Sequence, residues 1–560
     1  MKKHTKQILS LLLALVMVVG LCACGKTGGT SSEQPDDGAP KKLTVGLTFK
    51  SNVISYDDNA LTKYLEDKLN IDLEFVFFSS TAAEAKTQLS TMVAGGEKLP
   101  DVMFGISLTD VERNTYGDDG YFVDLAPYFD DPDWELAKEY QFHENLKKYA
   151  GEQTYNRALY EPRSPKGALY SWPASCASYT DQPIAHTYIN TVWLDKLGLE
   201  MPTTYEELKV VLEAFKTQDP NGNGQPDEIP MIGTNHNYNY IDHYIMNNFG
   251  EYVNDRTFYN VDDNGKVYIP YTTDEYRDGL RALRELVDAG YLSTLTWTIA
   301  SSSELNPLWT PADGVAKLGV VAGHITLRTD ASSEIVKEYN VLPPLEGSYA
   351  PIMPLSISKN YFITTDCEDF DTAAHFLMEF STLETARRTR HGEPGVDWDE
   401  VINYSTQTPM VRYRDGKNPY AGQTSSTWGV VGPFVGNYNE GSPWAGGANP
   451  NPPDPNYVPT PGEWRGEMLG AVGQAVLAAA EENNPAVTYI ALSYTEDEIE
   501  ENGAKYTEIY SYVRESRAQF ATGALDIDDD ATWAKYCKTI EDLGIATLLK
   551  TTQAVYDRQK

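Results

Sequence analysis

The chain offers little to chemistry that depends on thiols. It has 5 cysteines in 560 residues. Cys22 and Cys24 stand together near the N-terminus, while Cys176, Cys367 and Cys537 are isolated, with no Cys-x-x-Cys and no Cys/His spacing of a zinc site. Those three cannot build a disulfide framework, and each reads as a small buried apolar residue. Basic side chains are also scarce. Lys and Arg number 45 against 81 Asp and Glu, a formal charge of −36 spread along the whole sequence. A field of that sign repels polyanions and excludes nucleic acid as a partner. Gly-x-Ser-x-Gly, His-Glu-x-x-His, a phosphate-cradling glycine loop and internal repeats are all missing. A glycan-cleaving enzyme would need two carboxylates roughly 5 to 10 Å apart across a cleft. With this many acids no pair stands out, so no enzyme is expected.

Long apolar runs are lacking too. The longest, Ile8 to Leu21, is broken by Ser10 and Gly20. As a helix it would reach about 21 Å, short of the roughly 30 Å of a bilayer's hydrocarbon. It follows Lys2, Lys3, His4 and Lys6, the charged-then-apolar order of a secretory signal. Leu21-Cys22-Ala23-Cys24-Gly25 resembles a lipobox, with Ala23 as the small residue before the cysteine that carries the lipid. Residues 1–23 are therefore expected to be a signal peptide, with Cys24 acylated and holding the protein on the outer face of a bacterial cell membrane. Several acyl chains anchor where one would not, at about 0.8 kcal/mol per methylene. Residues 24–41, rich in Gly, Ser and Asp, read as a flexible tether.

What remains is about 520 residues, more than one core usually organises, so two lobes are expected. Leu43 to Leu47 has strand character, and Leu61, Tyr64, Leu65 and Leu69 share a helical face. Ile71, Leu73, Phe75 and Phe77 alternate as one face of a second strand. A helix over Ala83–Val93 ends at Gly95-Gly96, and Asp101 to Phe104 is a third strand. This βαβαβ order is that of an open parallel sheet, whose ligands sit beyond the carboxyl ends of the strands. Phe49–Ser51 and Gly105–Ser107 are loops in that place. Thr204 and Glu207 have capping-box spacing before a helix, and Thr272 and Glu275 repeat it before another that Gly290 stops. From about Arg414 to Glu463, Gly, Pro and Asn dominate and regular structure is not expected.

Asp219-Pro-Asn-Gly-Asn-Gly-Gln-Pro-Asp-Glu228 places oxygen side chains at relative positions 1, 3, 5, 9 and 10 and glycine at 6. Such a loop curls its alternate residues round a calcium ion. Asp219, Asn221, Asn223, the Gln225 carbonyl, Asp227 and Glu228 form the candidate ligand set. Position 12 is Pro230, so Glu228 would replace the usual bidentate glutamate. The loop joins a helix to a strand, which favours a structural ion over a sensor.

Several stretches resemble the family 1 extracellular solute-binding proteins, in particular a large Gram-positive lipoprotein branch that is similar to alginate-binding receptors. They are Tyr188–Leu199, Pro202–Ile229 with its calcium-type loop, Gly392–Trp398 and Phe520–Asp557. The resemblance implies a type 2 periplasmic-binding fold of two α/β lobes. Its N-lobe would comprise 42–180 and 340–385, and its C-lobe 181–339 and 386–560, with chain crossings near 180, 340 and 385. It implies a monomer that closes on a carbohydrate or oligosaccharide and presents it to the permease subunits of an ABC importer. A peptide or signal-molecule sensor on the same fold is the alternative. Sugars stack on aromatic faces, and by their places at strand ends and loops the candidate ligand-binding residues are Trp172, His236, Tyr238, Tyr240, Trp297, His324 and Trp444.

Overall fold

A computed structural model describes residues 38–558, except 178–181, 235–238, 300–301, 331, 354, 403–408, 415–416, 418–421, 430–434, 438–457, 486–491 and 493. Lys41–Lys560 is one compact unit, built on two four-stranded sheets. Cys24 lies outside the described residues.

The first lobe follows the βαβαβ expectation. β1 (Lys41–Thr48) lies between β2 (Ile71–Phe78) and β3 (Val102–Phe104), all parallel. Helices Ala60–Leu69 and Ala82–Gly95 connect them, the first capped by Asn59 and the second ended by Gly96 in the left-handed region. β11 (Tyr361–Ile363) returns late in the chain to pair antiparallel with β3. Leu43, Val45 and Leu47 pack with Leu61, Leu65 and Trp172 in this lobe's core.

In the second lobe the sheet order is β10 (Tyr339–Val341), β5 (Thr187–Asn190), β9 (Leu318–Ala322), β6 (Ile229–Ile232). Only β6 and β9 run parallel. Helices Tyr205–Thr217 and Asp274–Asp288, a small hairpin of β7 (Asn260–Val261) and β8 (Val267–Tyr268), and the four C-terminal helices from Pro461 onward complete it. The Thr204 capping box is present. At the second helix the cap is Thr273, whose hydroxyl accepts from Tyr276 N, one residue later than expected, because Pro270–Thr272 forms a separate 3₁₀ turn. Gly290 has φ +70° as expected. Trp193 is buried, edge-on to Phe215.

Three segments join the lobes. β4 (Ser175–Ala177) pairs with β14 (Val435–Asn437). Beside it, Ser358 N donates to Ala174 O at 2.7 Å, Trp172 N to Tyr361 O at 2.9 Å and Ile184 N to Pro351 O at 3.2 Å. Residues 178–181, where the sequence suggests the first crossing, lie outside the described residues. The other two differ from expectation. The return path comes later than 340, since Leu342, Leu345 and Ala350 are still in the second core and Leu355 is in the first. The third comes well after 385. Arg388 lies 4.1 Å over the Tyr64 ring, and the hairpin of β12 (Trp398–Ile402) and β13 (Pro409–Tyr413) is tied to the same region through Arg387 and Glu400. Trp428 Nε1 then donates to Thr62 Oγ1 at 2.8 Å, so helix Leu383–His391, the hairpin and Trp428 belong with the first lobe. An amphipathic pattern shows which face of a helix is buried, not which sheet buries it.

Candidate functional site: the strand ends at the hinge

The hinge fixes which end of each sheet faces the other lobe. β11 leaves a crossing segment with Tyr361 opposite Phe104, and Gly105 N donates to Asn360 O at 3.0 Å. The carboxyl ends of β1, β2 and β3, with loops Phe49–Ser51 and Gly105–Ser107, therefore lie beside the hinge. In the second lobe β5 enters from the hinge with Thr187 opposite Ala322, and Gly323 N donates to His186 O at 2.8 Å. Segment Gly323–Arg328 and the described residues Gly233, Thr234, Asn239 and Tyr240 thus lie beside it too. These are the positions at which open α/β sheets bind small molecules.

The first lobe brings aromatic rings to this end. Phe49 and Phe77 are 45% and 43% exposed, packed edge-on with centroids 6.0 Å apart, and Tyr56 lies 4.7 Å from Phe77. Ile54 beside them is also exposed. The alternation of β2 marks Phe77 as a core-facing residue. The face is right, but burial on it fades along the strand from Ile71 to Phe77. In the parallel register Phe77 pairs with Leu47 and Phe78 with Thr48, which sets Phe77 at the strand end beside Phe49.

Of the expected ligand-binding residues, His324 caps the short helix Ile325–Arg328. Its ring sits 5.4 Å from that of His186, and Nδ1 is 3.1 Å from Thr326 Oγ1. Tyr240 precedes helix Ile241–Met246, is almost wholly buried, and meets the His243 ring edge-on at 4.8 Å. Trp297 is half-buried at the end of a 3₁₀ turn, with Nε1 buried and unpartnered. Trp172 sits at the root of a crossing segment, but its ring is inside the first lobe, 5.0 Å from Phe142 and 5.4 Å from Phe129. His236, Tyr238 and Trp444 lie outside the described residues.

Below Tyr240 lies a buried charge network. Arg517 donates to Asp242 Oδ2 at 2.9 Å and to Asp255 at 2.6 and 3.0 Å, and its Nε to Tyr276 Oη at 3.1 Å. His243 stands between the acids, 3.2 Å from Asp242 and 3.3 Å from Asp255. Burial disfavours every charge here. The attraction of Asp255 and Asp242 nevertheless lifts His243 above its ordinary range, and Arg517 and His243 hold both acids well below theirs. A separate cavity of about 320 Å³ lies wholly in this lobe, among Tyr259, Tyr494, Tyr506 and Asn502.

The loop Asp219–Glu228 is tightly curled. Asp219, with φ +47°, accepts from the backbone amides of Asn223 and Gly224 at 3.1 and 3.0 Å. Gly222 and Gly224 have φ near +70° with open space where a Cβ would stand. Asn221 Oδ1 and Asn223 Oδ1 each accept from the amide two residues on, leaving a lone pair on each, while their NH₂ groups both point at Asp227 Oδ1 at 3.0 Å. Lys317 reaches Asp227 Oδ2 at 3.2 Å. Burial, then Asp219 and Asp227, push the Glu228 carboxyl up, and its Oε1 is buried without a partner. Among the described residues no group of three or more His, Cys, Asp and Glu is arranged to hold a metal; this loop's oxygens come partly from asparagines. Crowded carboxylates, an orphaned oxygen and free lone pairs fit a hard cation.

Two α/β lobes joined by three crossing segments, with loops at the strand ends gathered at the hinge, define the periplasmic-binding class of fold. The chain is similar over 93% of its length to an extracellular solute-binding protein of Bifidobacterium longum subsp. infantis (TM-score 0.66, 21% identity, 99% of that chain). It is similar over 92% to FusA of S. pneumoniae in complex with kestose (TM-score 0.59, 20% identity, 99% of that chain). Alginate-binding protein AlgQ2, solved without calcium ion, has the same fold (TM-score 0.53, 18% identity). In sequence, the chain is 30% identical over 311 residues to the fructooligosaccharide ABC transporter substrate-binding protein FusA of Streptococcus pneumoniae, 52% of this chain and 53% of that protein. It is 22% identical over 331 residues to the polygalacturonan/rhamnogalacturonan-binding protein YtcQ of Bacillus subtilis, 58% of this chain and 60% of that one. The chain thus spans between half and two thirds of the curated relatives it matches. No family model matches. Relatives and fold agree with the resemblance to family 1 solute-binding proteins carried by the sequence.

Proposed function

We propose that this chain is the solute-capturing component of an ABC importer and takes an oligosaccharide between its two lobes. The observation that carries the reading is the convergence of strand-end loops from both sheets on the hinge, with Phe49 and Phe77 exposed at the first lobe's end. Exposed phenyl rings suit the polarised C–H faces of sugars. His324 and Tyr240, both largely buried, stand at the matching strand ends of the second lobe. Short crossing strands leave the lobes free to approach, and a ligand touching both walls favours the closed state by its differential contacts. The relatives are transport proteins, and a binding role without catalysis agrees with them.

Two further parts belong to this reading. Asp219, Asn221, Asn223, the Gln225 carbonyl, Asp227 and Glu228 would hold a calcium ion, whose charge would neutralise the three acids and tie a helix end to β6. Cys24 would carry the lipid that keeps the protein on the extracytoplasmic face beside its permease. Among the described residues no helix is long and apolar enough to cross a membrane. A thermal-shift screen against neutral and acidic oligosaccharides and peptides tests the function. Stabilisation by a glycan and by no peptide supports it; stabilisation by peptides alone, or turnover of a glycan, contradicts it.

A further inference from the structure

The hinge-facing loops carry two cations that contrast with the rest of this acidic protein. Arg328 ends the short helix after β9. It is half-buried, its Nε has no accessible surface and no hydrogen-bond partner, and none of its side-chain nitrogens is in an ion pair among the described residues. The adjacent acid, Asp330, turns instead to the backbone and hydroxyl of Ser332, both at 2.8 Å. Burial is the one influence on its guanidinium, which is pushed below its ordinary range with no carboxylate to restore it. Three arginines removed from solvent are treated differently, Arg113 having Asp110, Arg157 Glu161 and Arg517 two acids, while buried Arg465, with no carboxylate in an ion pair, is met instead by the carbonyls of Ile325 and Thr326. On the first lobe Lys50 follows β1 in the loop beside Phe49, half-buried, its stem within 2.9 Å of where a Cβ on Gly429 would stand. It too has no ion pair among the described residues, whereas Lys42, Lys63, Lys86 and Lys98 of the same lobe each hold an acid.

Leaving a half-buried guanidinium unpaired costs free energy, and a ligand can supply the missing partner. With 81 acids in the chain, a structural partner would have been easy to provide. We infer that the captured glycan is acidic, its carboxylate received by Arg328 from the second lobe and Lys50 from the first. This rests on the oligosaccharide reading above and names the substrate class within it. A planar guanidinium fork matches a carboxylate's two oxygens. The net charge of −36 does not oppose a short uronate-containing ligand, because fields beyond about 8 Å are screened at physiological salt while contact charges are not. Cations on opposite lobes would also couple the ligand's charge to closure.

The test uses full-length protein and matched pairs of oligosaccharides, prepared from polygalacturonate, alginate and glucuronoxylan, each beside its carboxyl-reduced neutral counterpart. Calorimetry should show at least one pair in which the acid binds tenfold or more tighter than the neutral form, and Arg328→Gln and Lys50→Gln should each shrink that ratio several-fold. Arg328→Gln should melt no lower than the wild type, since it removes an unpaired charge. Neutral forms binding as tightly as acids, or a ratio unmoved by both variants, would overturn the inference while leaving oligosaccharide capture standing. A fall of more than about 5 °C in the variant's melting temperature would make Arg328 structural and overturn it as well. No binding by any member of any pair would remove both this inference and the proposed function.

Discussion

The second lobe holds two clusters of carboxylates that are built in opposite ways. Asp242 and Asp255 are fully buried, and every charge they carry is met by Arg517 and His243 at hydrogen-bond distance. Asp219, Asp227 and Glu228 share a surface loop with one lysine among them, and one carboxylate oxygen is orphaned. The first cluster pairs its charges with one another without any ligand, although His243 Nδ1 makes only an ion-pair approach to Asp242 and no hydrogen bond, and it fixes the base of helix Ile241–Met246 under Tyr240. The second is incomplete and fits something brought from solution. Arg328 repeats the second pattern with the sign reversed. In this chain satisfied charge marks architecture, and unsatisfied charge marks places where a ligand is expected.

The comparison breaks most visibly at Arg517. Arg517→Met leaves two buried acids short of a partner and should destabilise by about 3 to 5 kcal/mol, read as a loss of urea midpoint at pH 7. A change under about 1 kcal/mol would mean that the network is not structural. Next in size is the loop. Chelation should lower the melting temperature without unfolding the protein, because an ion at 100 times its Kd contributes about 2.7 kcal/mol. Asp219→Ala should then show little further effect of chelator. Equal melting with and without chelator would leave the loop a polar turn.

A smaller effect follows from pH. Asp242 and Asp255 lie below their ordinary 3.8 in the folded state, so their stabilisation is full above that value and is lost as pH falls through the lower folded values. His243 lies above its ordinary 6.5, so its contribution is full below 6.5 and is lost as pH rises through the folded value. Stability should therefore be greatest between about pH 4 and 6.5 and decline on the alkaline side, and His243→Gln should flatten that decline. An alkaline limb identical in the variant would contradict the assignment. Cys24→Ser is the smallest in energy: melting should be unchanged, while lipid labelling and membrane retention are lost. Retained protein would remove the lipid anchor from the account.

Much of the first lobe was legible because local pattern and global place agree there. β1 to β3 and their two helices are short-range units, and Gly95-Gly96 marks the end of the second helix in the residues themselves, as the Thr204 box marks a helix start in the second lobe. The hinge was less legible. β11 and β14 are 3 residues each, too short for a period, and their partners lie far away in sequence. Trp428 looks like one more aromatic in a Pro/Gly-rich stretch until its Nε1 is seen on Thr62. The curl of loop Asp219–Glu228 could be read because its glycines at relative positions 4 and 6 take the left-handed region. The aromatic end of the first lobe could not, since Phe75 and Phe77 share one alternation and yet only the second is a surface ring. Arg328 gave no sequence signal at all; what marks it is the absence of a neighbouring acid in space.

The central claim is that both lobes contribute to one site at the hinge. Small-angle scattering of the full-length protein, with and without a glycan that stabilises it in the thermal screen, tests this most directly. The account predicts a smaller radius of gyration at saturation, and weakened binding when either Phe77→Ala in the first lobe or His324→Ala in the second is introduced. A tightly bound glycan that leaves the scattering unchanged and is sensitive to only one of the two substitutions would contradict it.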